Sequence, residues 1–252
     1  MIFAYLPPIL IGFCAVHIIK MMRMYLILLD RKITFERFVP AYFRTTLVNL
    51  VIPYKLGEIY RVFVYFRISE GFKTGFFSVL TDRFFDTFAI VLILLPYQML
   101  TMGRVTIPVL LLAGFLVVVV LGYAITPSTY RFLNKYIIQY RTSNRSLSIL
   151  KTLEVIHDWY EYVRTLVSGR YGILILLSLG AWLLEILVLM GFAGFVGLGF
   201  KVSDFGAYIE SIISGNTYYL KNQYTLCSII VIFVATIVSL VWYAICRRKC
   251  RK

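Results

Sequence analysis

Two pieces of sequence decide how this chain folds. The first is Asn49-Leu50-Val51-Ile52-Pro53-Tyr54-Lys55-Leu56-Gly57-Glu58-Ile59-Tyr60-Arg61, and the second is Thr81-Asp82-Arg83-Phe84-Phe85-Asp86. Together they gather Lys55, Glu58, Arg61, Asp82, Arg83 and Asp86 inside a chain that otherwise reads as lipid-soluble. Pro53 and Gly57 interrupt the apolar run before it reaches the roughly 20 residues needed to cross hydrocarbon. Interrupted backbone at membrane depth survives only under a cover of protein or beside a wet cavity. Charges next to such an interruption mark a functional site by default.

The run leading into Pro53, residues 38–53, is apolar but short, and it carries Arg44, Thr45, Thr46 and Asn49. It reads as a re-entrant half-helix ending at Val51 or Ile52, because the residue before a proline avoids the helical region. Glu58 to Arg67 leads back to the side of entry, where Arg61, Arg67 and Lys73 hold it. Five full spans are expected around this element, at residues 1–22, 74–100, 106–125, 171–200 and 225–246. The first starts near Pro7-Pro8, where a helix tolerates proline, and ends at Lys20 and Arg23, with Arg31, Lys32 and Arg37 following. The second holds Asp82, Arg83 and Asp86 in its first half. The third is uncharged scaffold. The fourth contains Trp182 and Glu185 and closes on Gly191, Gly194, Gly197 and Gly199, small residues that let helices approach closely. Residues 101–105 and 201–224 read as loops.

Composition agrees. The chain is 60% hydrophobic, with mean hydropathy +0.83, against about 45–50% apolar usage in soluble domains. The expected fold is therefore all-α: one polytopic membrane domain over residues 1–252. No signal peptide with a small-residue cleavage site opens it. The net charge of +14 does not point to nucleic acid, because the basic residues lie between apolar spans and not on one soluble face. Of 26 Lys and Arg, only Arg104, Lys201 and Lys221 fall in the expected outer loops. The positive-inside rule then places the N-terminus outside and the C-terminus in the cytosol of a multi-pass bacterial inner-membrane protein. Residues 126–170 form the long basic connector. Within it Ile149, Leu153, Ile156, Tyr160 and Val163 recur at helical spacing, which fits an amphipathic helix on the inner membrane face or a plain cytosolic connector. The four cysteines, Cys14, Cys227, Cys246 and Cys250, show no metal-ligand spacing and read as reduced thiols. No cofactor is expected.

Glu58 and Arg61 are three residues apart, as are Arg83 and Asp86, so each pair shares a helix face. Two readings of these pairs stand side by side. They hold a lipid headgroup, with the Arg fork suited to phosphate oxygens, or they neutralise one another and fix helix packing. Glu185 reads in the same two ways, with Arg83 or Arg61 as its expected partner.

Asn49, Pro53, Gly57-Glu58 and Arg61, followed by Asp82-Arg83-Phe84-Phe85-Asp86, resemble the lysylphosphatidylglycerol synthase transmembrane region, a flippase-like domain also found in stand-alone proteins. The resemblance extends to residues 31–44 and to Trp182–Glu185, and covers roughly 1–199. It implies binding and translocation of a lipid with a charged headgroup, such as an aminoacylated phospholipid or a lipid-linked sugar, in a setting of lipid metabolism and antimicrobial-peptide resistance. By the resemblance, Asn49, Glu58, Arg61, Asp82, Arg83, Asp86 and Glu185 are the substrate-binding residues, with Pro53 and Gly57 shaping the site. The expected partners are a membrane phospholipid or lipid-linked substrate, and a second copy of the chain or an envelope-synthesis enzyme. Against the family pattern, the chain starts one helix late, shows no second Pro-Gly break after residue 205, and carries no soluble synthase domain. Aminoacyl transfer is therefore not expected of it. The rival reading is an integral component of phosphatidylglycerol lysyltransferase-type lipid aminoacylation or an accessory protein of envelope glycolipid synthesis. The re-entrant reading has a direct check. Single cysteines at Arg37 and at Lys73 should both react with a membrane-impermeant thiol reagent from the same face, and labelling from opposite faces would make residues 38–53 a genuine span.

Overall fold

The computed structural model describes residues 6–31, 33–52, 56–69, 71–140, 144–214 and 218–249, and Pro53 and Lys55 lie outside them. The described residues form helices α1 (Leu6–Leu28), α2 (Phe35–Val51), α3 (Leu56–Ser69), α4 (Phe72–Met102), α5 (Ile107–Tyr140), α6 (Asn144–Val167), α7 (Tyr171–Phe195), α8 (Val202–Ser214) and α9 (Tyr219–Lys249). A 3-10 turn, Leu29–Arg31, follows α1. No strand occurs among the described residues. Five stretches are long and apolar enough to cross a membrane: Pro7–Arg31, Phe72–Thr101, Ile107–Gln139, Tyr171–Phe195 and Leu220–Arg248. The fold is all-α and polytopic, as expected. Arg31, Arg37, Lys73, Arg170, Arg247 and Arg248 collect where α1 and α9 finish and where α2, α4 and α7 start, and we call this the basic end.

α2 and α3 form a hairpin too short to span. At 1.5 Å per residue they are about 25 and 21 Å long. α2 ends at Val51, as the Pro53 break requires, and the Ile52 amide N–H closes it on the Val48 carbonyl at 2.9 Å. α2 packs along α9, and α3 along α4. Phe35 meets both Tyr25 and Trp242 near the basic end, which fixes the side on which the hairpin enters. Close packing of α3 on α4 depends on Gly75. A Cβ there would sit 2.6 Å from the Val62 carbonyl oxygen and 2.7 Å from the Phe66 nitrogen, both backbone atoms.

Four sequence expectations need correction. The third span does not end at residue 125, because α5 continues through Pro127 to Tyr140 and takes in the first part of the expected connector. The first span does not end near Met22. α1 continues to Leu28 because Met24, Ile27 and Leu28 are fully buried, and because Lys20 and Arg23, which read as its terminal charges, point into the bundle and find acids there. The segment 201–224 is not simply a loop. It contains α8, whose Phe205, Tyr208 and Ile209 are buried at helical spacing, with Phe205 against Trp182 and Tyr208 against Tyr224. The fourth span stops at Phe195, and the chain turns through Gly197 at φ 80. The connector does hold the expected helix, α6; of its apolar stripe Ile149 and Ile156 are exposed, while Leu153, Tyr160 and Val163 are half-buried. His157 stacks on Tyr130 at 3.9 Å and Tyr160 lies 4.8 Å from Tyr123, both tyrosines belonging to α5. The far end of α6 is pinned to the basic end by buried Leu166 and Val167, by the Tyr162 hydroxyl donating to Thr74 at 2.6 Å, and by Arg31 lying over the Tyr162 ring.

Two apolar clusters fill the bundle. One, towards the basic end, includes Met24, Ile27, Phe38, Tyr42, Tyr65 and Phe77. The other, away from it, includes Phe13, Leu94, Leu189, Phe192, Phe205 and Leu220. The intramembrane charges lie where the two meet. Substituting Gly75→Ala should separate α3 from α4 and lower stability by about 1–3 kcal/mol, the usual range for overpacking, read as a drop in melting temperature of the detergent-solubilised protein. An unchanged melting temperature would show that the two helices can part at no cost.

Candidate functional site

The site is assembled by five helices. Asp82, Arg83 and Asp86 lie ten to fourteen residues into α4, about 15–21 Å from its basic end. The tip of the α2–α3 hairpin reaches the same depth and presents Asn49, Glu58 and Arg61. α1 supplies Arg23, and α7 supplies Ser178. The hairpin closes tightly at its tip because residue 57 is glycine: a Cβ would fall 2.4 Å from the Asn49 Cα and 2.6 Å from its Oδ1. This close approach lets the Asn49 Nδ2 donate to Glu58 Oε1 at 2.9 Å, which orients the carboxylate.

The ion pairs differ from those that helical spacing suggests. Glu58 does pair with an arginine, but chiefly with Arg83 on α4, at 2.7 Å; the spacing partner Arg61 stands 3.9 Å away. Arg61 turns to Asp82, at 3.0 Å. Arg83 keeps its contact with Asp86 at 3.3 Å, while the closer partner of Asp86 is Arg23, at 2.6 Å. A buried guanidinium takes the nearest carboxylate that tertiary packing brings, and an i,i+3 neighbour on its own helix is only one candidate. Glu185 pairs with neither Arg83 nor Arg61. Its partner is Lys20, at 2.5 Å.

Arg23 is the hub, and sequence reading missed it. Only 1% exposed, it donates from Nε to Asp82 at 2.8 Å, from Nη1 to Asp86 at 2.6 Å, and from Nη1 to the Ser178 hydroxyl at 2.9 Å. The Ser178 hydroxyl in turn donates a hydrogen bond to the Leu174 carbonyl at 2.8 Å. The available signal was an arginine followed by Met24, Leu26, Ile27 and Leu28: a cation that apolar sequence continues past is inside a span, not at its end. The cluster thus sets Arg23, Arg61 and Arg83 against Glu58, Asp82 and Asp86, so its formal charge sums to zero. That balance is what hydrocarbon surroundings demand.

The cluster grades from fixed to open. Arg23, Arg61, Asp82 and Asp86 are buried. The side chain of Arg83 is 43% exposed and that of Glu58 21%. Arg61 Nε, Arg83 Nε and Glu58 Oε2 are enclosed yet make no hydrogen bond. Such groups are costly in low dielectric unless something completes them. An arrangement of this kind can take a phosphate on the guanidinium side and a donor on the Glu58 side. Separately, an apolar cavity of about 290 Å³ opens between α4, α5, α6 and α7, lined by Phe84, Phe85, Phe88, Val119, Val167 and Ile175 among others. It holds none of the charged residues. Its polar rim is the Tyr123 and Tyr171 hydroxyls, 3.3 Å apart. Among the described residues no group of His, Cys, Asp and Glu could hold a metal ion.

Arg23→Met should cost at least about 3 kcal/mol, because removing one partner strands buried carboxylates. Arg23→Lys should rescue little, since one ammonium cannot reach Asp82, Asp86 and Ser178 together. Arg23→Met combined with Asp86→Asn should recover part of the loss. Thermal unfolding in detergent checks the series, and an Arg23→Met protein as stable as the parent would show that the hub is not needed.

Comparison with known proteins bears on the same residues. No curated protein and no solved structure matches the chain significantly. A family profile does match, that of the lysylphosphatidylglycerol synthase TM region, over residues 1–214. That match takes in α1 to α8 and every charged side chain of the cluster. A profile match over 214 residues, on a chain with five helices long and apolar enough to cross a membrane, shows that the chain belongs to the lysylphosphatidylglycerol synthase TM region family.

Proposed function

We propose that the protein binds the charged headgroup of a membrane lipid at the tip of the α2–α3 hairpin and moves it between leaflets. One observation carries this reading: the half-open Arg83–Glu58 pair, with unpartnered polar atoms of Arg61, Arg83 and Glu58 around it. A phosphate placed there takes the exposed fork of Arg83 in a bidentate bond, and Glu58 is released towards a hydroxyl or ammonium on the same headgroup. The buried Arg23–Asp82–Asp86 set acts as the rigid base against which this exchange occurs. Its depth, about 15–21 Å from the basic end, is near the middle of a ~30 Å hydrocarbon layer, so a headgroup held there is within reach of either leaflet. The apolar cavity beside α4 suits an acyl chain. Orientation follows the basic residues, with the basic end and the C-terminus in the cytosol of a bacterial cell and the N-terminus outside. The family name speaks of an aminoacylated phospholipid, and a headgroup of that kind is the first candidate here.

The matching double mutant is Glu58→Gln with Arg83→Gln, because these two residues pair in the fold. Each single change strands a charge near the lipid and should lower stability. The double change removes both, and since Arg83 is well exposed the net effect on stability should be small, within about 2–4 °C in melting temperature. Lipids that co-purify in detergent, identified by mass spectrometry, should be largely lost from the double mutant. A stable double mutant that keeps its full lipid complement would remove the hairpin tip from consideration.

A further inference from the structure

α1 carries a second charged centre one turn before Arg23, and it is built differently. Lys20 Nζ lies 2.5 Å from Glu185 Oε2 on α7 and sits over the ring of Trp182, 4.7 Å from its centroid. Glu185 is buried, while the Lys20 side chain is 20% exposed. Other polar groups lie within electrostatic range of this pair: Tyr208 on α8 and Tyr224 on α9 near Glu185, and Asp86 on α4 near Lys20. Two enclosed nitrogens flank the pair without a hydrogen bond, Trp182 Nε1 and His17 Nδ1. His17 is one turn before Lys20 on α1.

A carboxylate beside an indole face, with tyrosines around it, is the chemistry that recognises an ammonium group. Here the ammonium is the protein's own. The residue type is informative. Arg23 is locked by a fork that reaches three partners, whereas Lys20 is a point charge on a flexible stem, partly exposed and long enough to swing aside. Lys20 also leaves the site incomplete. An ammonium has donors only, so it offers nothing to the Trp182 N–H. A ligand carrying an ammonium with an oxygen close to it completes both. Exchanging one ammonium for another leaves Glu185 paired throughout, and the displaced Lys20, 20% exposed, can turn towards the Arg83–Asp86 side, where the lipid phosphate adds the negative charge that balances it.

We propose that Glu185 and Trp182 form a subsite for the primary ammonium of an amine-bearing lipid headgroup, and that Lys20 fills it as a tethered stand-in which the headgroup displaces. This rests on the reading that the protein holds a lipid headgroup, and adds to it a second contact on a different pair of helices. The hairpin tip takes the phosphate, and the Glu185 centre takes the amine.

The test uses the full chain in mixed micelles of phosphatidylethanolamine and phosphatidylglycerol in equal amounts. Retained lipid is quantified by mass spectrometry for the wild type, Glu185→Gln and Lys20→Met. The wild type should enrich the ethanolamine lipid about tenfold, the ratio that one desolvated ammonium contact supports. Glu185→Gln should lose that enrichment while still retaining lipid. Lys20→Met should melt below the wild type and regain about 2–4 °C with propylammonium chloride, but not with potassium chloride at equal ionic strength. The same lipid ratio in wild type and Glu185→Gln overturns the proposal, as does a folded Lys20→Met protein indifferent to the amine. Should Lys20→Met not be recovered folded, the Glu185→Gln ratio decides alone. Absence of retained lipid from all three proteins would instead defeat the headgroup reading itself.

Discussion

An unpaired charge in hydrocarbon costs several kcal/mol, and the rest of this structure is arranged to avoid that cost at Arg23. One guanidinium satisfies Asp82, Asp86 and Ser178, and so ties α1 to both α4 and α7. Asp82 passes the connection to Arg61 on α3, and Arg83 passes it to Glu58 at the hairpin tip. Lipid tails are as apolar as leucine, so burial of Leu and Val gives these helices little reason to choose one partner over another. The charge network supplies that choice. It fixes which helices meet and at what height, because a shift of one turn on any of them would leave a carboxylate facing the wrong neighbour.

The same constraint explains how the interrupted backbone is tolerated. A hairpin that enters and returns needs protein on every side. α9 covers α2, α4 covers α3, and two glycines remove the side chains that would hold these surfaces apart. Gly57 lets the two arms of the hairpin touch at the tip, and Gly75 lets α3 lie against α4. The hairpin is thereby held so that its tip, and not its shaft, carries the exposed polar groups. Burial falls from Arg23 and Asp82 to Arg83 and Glu58, which separates a fixed base from a pair able to change partners.

The two charged centres on α1 divide the work by side-chain chemistry. Arg23 is planar, forked and fully enclosed. Lys20, three residues earlier, is flexible, partly exposed and held by a single acid and one aromatic face. A helix that carries both is anchored at one level and adjustable at the next. Asp86 contacts Arg23 and lies within electrostatic range of Lys20, so the two centres stand close to one shared carboxylate.

Much of this was legible in the sequence for simple reasons. Apolar runs of sufficient length are spans in any tertiary context, so five of them and an all-α fold follow from composition and periodicity. Pro53 and Gly57 had to interrupt the run at residues 38–53, and α2 duly ends at Val51. Asn49, Glu58, Arg61, Asp82, Arg83 and Asp86 stood out as charged or polar groups at membrane depth, and the fold gathers all six. The sequence could not decide their partners. Helical spacing paired Glu58 with Arg61, but electrostatics at close range depends on ångströms, and only packing of α3 on α4 brings Arg83 nearer to Glu58 than Arg61 is. It likewise read Lys20 and Arg23 as the end of a span, since a cation near an apolar boundary usually meets water. Whether such a side chain turns out to solvent or into the bundle depends on acids more than fifty residues away in the chain. Only the tertiary structure brings those acids to it.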